Sequence, residues 1–257
     1  MDAYPVIAPV ISPLLSPVMA AQPGPEFAPL FVAAAPRRAR GRPRKTSEDR
    51  DDGNRRQALL RAAARLFHRK GYDATSTRDI AAAVGMHSGS PFYHFKSKSA
   101  LLYAVMEEGM RAAIERQNLA LQALGLDGNS LSNRELTVQV QRALLAVLVR
   151  NHLDVLLGRD ADFIPVMLYE WRSLNPRQRK QMTLIKDDYE AVWTPVLQAL
   201  HDAGQLGCDV KLARLMIFGA LNWSAQWFDA RQASRGGATL DQLGAAAMAL
   251  FLNKETS

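Results

Sequence analysis

The stretch from Gly71 to Lys98 is punctuated so closely that only short helices fit between its stops. Ser76-Thr77-Arg78-Asp79 has capping-box spacing, Ser76 placed to cap a helix and Asp79 to answer it. The apolar run Ile80-Ala81-Ala82-Ala83-Val84 follows, and Gly85 supplies a tight turn. His87-Ser88-Gly89-Ser90 opens another short helix, in which Pro91 is tolerated only within the first turn. Upstream, from Arg55, the residues Leu59, Leu60, Ala63, Leu66 and Phe67 recur on one helical face. Gly71 closes that helix after the basic turn Arg69-Lys70. Two short helices about a glycine-containing turn, with a third before them, make a helix-turn-helix over residues 53–98. The second helix of such a pair is shaped for the major groove of a duplex.

Charge singles out the same region. Residues 37–98 hold 16 of the 32 Lys+Arg and only 6 of the 25 Asp+Glu, a balance of +10 against −3 for the rest. That asymmetry points to a polyanion partner for one segment and not for the whole chain. The core Arg40-Gly41-Arg42-Pro43 resembles an AT-hook. Gly and Pro hold such a core extended and thin, so Arg40 and Arg42 fit a narrow A·T minor groove. A solvated basic tail is the plainer alternative. Glu48 to Asp52 reads as a linker, making 37–52 an arm and linker. Residues 1–36, with prolines at 5, 9, 13, 17, 23, 25, 29 and 36, are expected to form a disordered leader. Asp2 and the early prolines spoil a secretory signal.

Across residues 55–103 the order of turns, caps, aromatics and closing lysine resembles the TetR DNA-binding signature. The residues that carry it are Gly71-Tyr72-Asp73-Ala74-Thr75-Ser76, Asp79 to Gly85, and Gly89-Ser90-Pro91-Phe92-Tyr93-His94-Phe95-Lys96-Ser97-Lys98. The resemblance implies that Thr77, His87, Ser88, Gly89, Ser90, Phe92, Tyr93, His94 and Lys98 lie against DNA. Hydroxyls and helix N-terminal N–H groups suit phosphate oxygens, which fix register without reading sequence. Tyr93 and Lys98 look like the family's phosphate anchors, and Phe95 is expected in the core. Two departures stand out. His87 replaces the usual serine cap, and Pro91 replaces a leucine-like residue. His87 either contacts a base edge or only caps the helix.

After Lys98 the pattern is helical with no strand period. Helices are expected near 98–124, 134–157, 162–173, 176–204, 209–229 and 240–253. Asn175 before Pro176, and Asp209 and Thr239, are the expected caps. The expected fold is all-α: a three-helix helix-turn-helix domain and a C-terminal helical bundle over 99–257 for ligand binding and dimerisation. In TetR-like proteins the last two helices form a four-helix bundle with a two-fold mate. Here the matching residues are Leu212, Leu215, Met216, Gly219, Trp223 and Trp227, with Leu240, Leu243, Ala247 and Leu250. Core within one chain is the alternative reading of these rows.

The segment Met167 to Arg172, the 189–200 helix and Gly219 to Trp223 are similar to a TetR subgroup governing fatty-acid or sterol breakdown in response to acyl-CoA thioesters. That likeness implies an effector site of Met167, Trp171, Arg172, Trp193, Phe218, Asn222 and Trp223. Arg177, Arg179 and Lys180 are either phosphate holders or a solvated helix face.

Other classes find little support. The single cysteine, Cys208, excludes a disulfide framework, and no stretch approaches the ~18 apolar residues of a membrane helix. There is no phosphate-binding glycine loop, no HExxH helix and no Gly-x-Ser-x-Gly elbow. His152 and Asp154 are two apart and do not share a helical face, while Asp160 and Asp162 read as caps of the next helix. No catalytic, metal or cofactor site is expected. The expected partners are double-stranded DNA, a second copy and a small-molecule effector, in the cytoplasm and on the nucleoid when DNA-bound. An architectural DNA-binding protein without an effector is the alternative.

Overall fold

The computed structural model describes residues 47–87, 91–125, 137–158, 161–229 and 237–253, with side chains from Gly53 onward apart from Pro91 and Phe92. Every regular element among them is a helix. The chain opens with α1 (Ser47–Lys70), α2 (Thr77–Ala83) and α3 (Pro91–His94). Helix α1 begins earlier than expected, so residues 47–52 belong to it and not to a linker. Leu59, Leu60, Ala63 and Phe67 are buried as their spacing required. Gly71 stops the helix with φ at +82°, and Gly85 turns the chain between α2 and α3 with φ at +68°.

Ser97 caps α4 (Lys98–Gln122), its Oγ accepting from the Ala100 N–H at 3.0 Å. This helix, about 37 Å long at 1.5 Å per residue, carries a buried stripe from Leu101 through Met106 and Ala113 to Leu121. It packs against α1 and against α5 (Val138–Leu157), α6 (Phe163–Glu170) and α7 (Pro176–Ala191). Helices α4 and α6 approach so closely that a Cβ at Gly109 would lie 2.6 Å from that of Phe163. Residues 45–257 form one compact unit, so the helix-turn-helix shares its core with the bundle.

One long helix was expected over 176–204. Instead it breaks at Val192 into α7 and α8 (Trp193–Asp202). Pro195 explains the break: it has no N–H to donate, and its ring collides with the carbonyl four residues back, at Ala191. Two further helices, α9 (Val210–Trp223) and α10 (Leu240–Phe251), complete the bundle, with α10 lying on α5. The caps at Asn175, Asp209 and Thr239 are made as expected. Asp162 is not: it makes no capping bond. The Asn253 amide ties the end of α10 to the α8–α9 turn, donating to the Gly204 carbonyl at 2.8 Å.

Candidate nucleic-acid interface, cavity and outer face

The capping box at the start of α2 is complete. Asp79 N–H donates to Ser76 Oγ at 3.1 Å, and Ser76 N–H donates to Asp79 Oδ2 at 2.9 Å. The Ser76 hydroxyl, donating to Asp79 Oδ2 at 2.7 Å, and then the Ser76 N–H hold the Asp79 carboxyl below its ordinary pKa. Thr77 is half-buried at the first helical position, and His87 is exposed. Tyr93 is 79% exposed, its ring edge-on to His94 at 5.2 Å. The Lys98 ammonium sits 4.1 Å above the Tyr72 ring and donates to the Asp73 carbonyl at 3.4 Å. It therefore fixes the start of α4 to the turn after α1 as well as presenting charge. Phe95 is buried as expected, beneath the Arg56 guanidinium. Arg40, Arg42, Ser88, Gly89 and Ser90, and the Phe92 side chain, lie outside the described residues.

Both ends of α6 grip this unit. Glu170 Oε1 accepts the Tyr72 N–H at 2.8 Å. At the other end Asp162, freed from capping, pairs with His68 Nδ1 at 2.9 Å. Ser99 and Gln178 join α4 to α7 at 3.1 Å, and Gln57 donates to Glu108 between α1 and α4 at the same distance. Short polar contacts therefore tie α6 to α1 and to the turn before α2.

The seven residues expected around an effector do not all come together. Trp193 and Phe218 are buried with ring centres 4.7 Å apart, filling the core. Asn222 reaches them through a buried polar chain that the sequence did not reveal. The two partners of neutral His152 set its tautomer: Nδ1 accepts from the Tyr189 hydroxyl at 3.0 Å, and Nε2 donates to Asn222 Oδ1 at 3.1 Å. Gln117 joins the chain, receiving the Trp193 indole N–H at 2.9 Å and donating to the Tyr189 carbonyl at 3.0 Å. Burial drives the His152 pKa down to about 4 and raises that of Tyr189. Met167 and Trp171 are half-buried at α6 and the turn after it, and Arg172 is exposed. Trp223, five residues beyond Phe218 and so about 140° around α9, is 67% exposed on the opposite side. A cavity of about 640 Å³ opens elsewhere, between α1, α4, α5 and the start of α6.

The outer face of α9 is apolar and, among the described residues, unpartnered. Leu212, Leu215, Met216, Trp223 and Trp227 are 52–67% exposed, Leu250 of α10 is 81% exposed, and Gly219 has open space above it. Two residues expected on that face are less exposed in the single chain. Ala247 is buried, and Leu243 packs half-buried on the same core, because α10 turns that stripe toward α5. Among the described residues there is no helix long and apolar enough to cross a membrane.

A short three-helix reading unit fused to an all-helical bundle with an unpaired apolar face defines a class of DNA-binding regulator, and sequence comparison gives the family. Residues 59–105 match the model of bacterial regulatory proteins of the tetR family, and residues 140–254 match the tetracyclin repressor-like C-terminal domain. The chain belongs to the TetR family of transcriptional regulators. It is 25% identical over 166 residues to the fatty acid metabolism regulator protein of Bacillus subtilis, covering 64% of this chain and 78% of that one. Among solved structures, superantigen PfiT is 34% identical with a TM-score of 0.60, over 78% of this chain and 97% of that one. AibR in complex with isovaleryl coenzyme A and operator DNA shares the fold at 22% identity and a TM-score of 0.64, over 77% of this chain and 97% of AibR.

Proposed function

We propose that this protein is a homodimeric repressor that grips a palindromic operator through α2 and α3 and is released by a small hydrophobic effector such as an acyl-CoA thioester. The observation that carries this reading is the double grip of α6, through Glu170 on Tyr72 and Asp162 on His68. An effector that moves α6 has a direct path to the reading unit. The fatty acid metabolism regulator and the isovaleryl coenzyme A complex of AibR favour a thioester as the ligand class. On the DNA side Thr77, His87, Tyr93, His94 and Lys98 face the duplex with Ser88, Gly89, Ser90 and Phe92, while Arg40 and Arg42 follow the minor groove.

The outer face of α9 serves the dimer, placing two reading units on half-sites about 34 Å apart or somewhat more. Gly219→Arg tests this cleanly, because among the described residues nothing lies within 4 Å of the added Cβ. Sedimentation is expected to show folded monomers that no longer hold a palindrome; a dimer of unchanged affinity contradicts the assignment. Lys98→Met keeps a stem over Tyr72 while removing the charge. It should weaken all duplexes alike and lower the salt slope by about one unit. A loss confined to one sequence would make Lys98 a base reader instead.

The filled core around Trp193 and Phe218 favours a second reading, DNA binding indifferent to any effector. Fluorescence anisotropy on an operator duplex, with a panel of acyl-CoA thioesters, separates the two. Release by one thioester supports the first reading; affinity unmoved by the whole panel supports the second.

A further inference from the structure

The cavity beside α1 is lined by a regular pattern of charged side chains. Gln57, Arg61 and Arg65 recur every four residues on α1, and Glu108, Ala112 and Arg116 do so on α4. Residues four apart stay on one helical face, and all six line the same cavity. Its floor is Val155 with Phe163 and Ile164. Both acidic groups in the lining are already engaged. Glu108 accepts from Gln57, and Asp162 is paired with His68. The three arginines are different: among the described residues none makes an ion pair or a side-chain hydrogen bond.

Three guanidinium groups around one cavity outnumber its two carboxylates, repel one another and keep their donors unspent. A multiply charged anion removes the repulsion and takes up those donors, and phosphate oxygens match the guanidinium fork. The apolar floor leaves room beside them for an organic portion.

We propose that the α1–α4 cleft is a binding site for a small organic anion carrying a diphosphate, held by Arg61, Arg65 and Arg116. Its walls give it a regulatory position. One is α1 of the reading unit, and another is the start of α6, whose Asp162 holds His68. Occupancy draws α1 toward α4 and so changes how α2 and α3 are presented. The site itself stands without the thioester reading, which concerns what releases DNA.

Calorimetric titration of the full chain with inorganic pyrophosphate, and separately with coenzyme A, tests the site at about 0.15 M salt, where exposed charges are screened beyond roughly 8 Å. Saturable binding is expected at one equivalent per chain, weakened about tenfold by Arg61→Gln and again by adding Arg116→Gln. These side chains are exposed, so the fold tolerates the changes. Arg111→Gln removes the same charge from α4 outside the cleft and should leave binding intact. No saturable binding by either probe overturns the proposal, as does equal weakening by Arg111→Gln. So does a pair of cleft variants that impair duplex binding while pyrophosphate affinity stays unchanged, which would make the arginines DNA contacts. Thioesters that fail to release DNA while pyrophosphate still binds through Arg61 and Arg116 contradict the release reading alone.

Discussion

Trp193→Ala is expected to lower the stability of the folded chain by about 3–5 kcal/mol, the cost of emptying a buried aromatic site. The indole is fully buried, packs on Phe218 at 4.7 Å and sits edge-on to His152 at 6.0 Å. Collapse of the surroundings cannot recover much, because the site lies where α4, α5, α8 and α9 converge. The Gln117 side chain, itself fully buried, also loses the donor at its Oε1. An unsatisfied buried acceptor costs about 1–3 kcal/mol. Against a typical total of about 5–15 kcal/mol this is a large fraction. Urea unfolding at matched protein concentration measures it, since dimerisation makes stability depend on concentration. A change below about 1 kcal/mol would mean that this core is not packed as described.

His152 should make stability depend on pH in a definite direction. In the folded chain it stays neutral down to about pH 4, whereas its ordinary value is 6.5. Burial is the main cause, and its contact with Asn222 works weakly against the shift. Between those two pH values the unfolded chain binds a proton that the folded chain does not. Stability is then fully present above about pH 6.5, falls as pH drops toward 4, and levels off below. The shift corresponds to a loss on the order of 3 kcal/mol. The ring's neighbours are Tyr189, Trp193, Phe218 and Asn222, none of them charged at these pH values. Other groups titrate over the same range, so the difference between wild type and His152→Gln isolates this one. Curves that differ by a constant offset across pH 4–7 would contradict the assignment.

What was legible in the sequence was what depends on near neighbours. The Ser76–Asp79 box, the caps at Asn175, Asp209 and Thr239, and the turns at Gly71 and Gly85 all rest on residues within four positions of one another. The buried face of α1 followed from periodicity alone. The break at Val192 was also legible, since Pro195 marks it, but an amphipathic pattern running through it hid the signal. What escaped detection was long-range. In sequence the acidic group nearest His152 on its helix is Asp154, whereas its partners lie 37 and 70 residues away on α7 and α9. Arg61 and Arg116 share a cavity across more than fifty residues. Asp162 looked like a cap because capping is local; only the fold brings His68 within reach. Likewise Ala247 fits an interface stripe as well as a core stripe, and the placement of α10 on α5 decides between them.

In the proposed function two copies of this chain read a duplex with dyad symmetry. Selection from a library of random duplexes, using the full chain at about 0.15 M salt with excess non-specific competitor, tests that claim most directly. Enrichment is expected of an inverted repeat whose half-site centres are about one helical turn apart or somewhat more, with Gly219→Arg failing to select it. Enrichment of no sequence over the starting library, or of a single half-site with no symmetric mate, would contradict it.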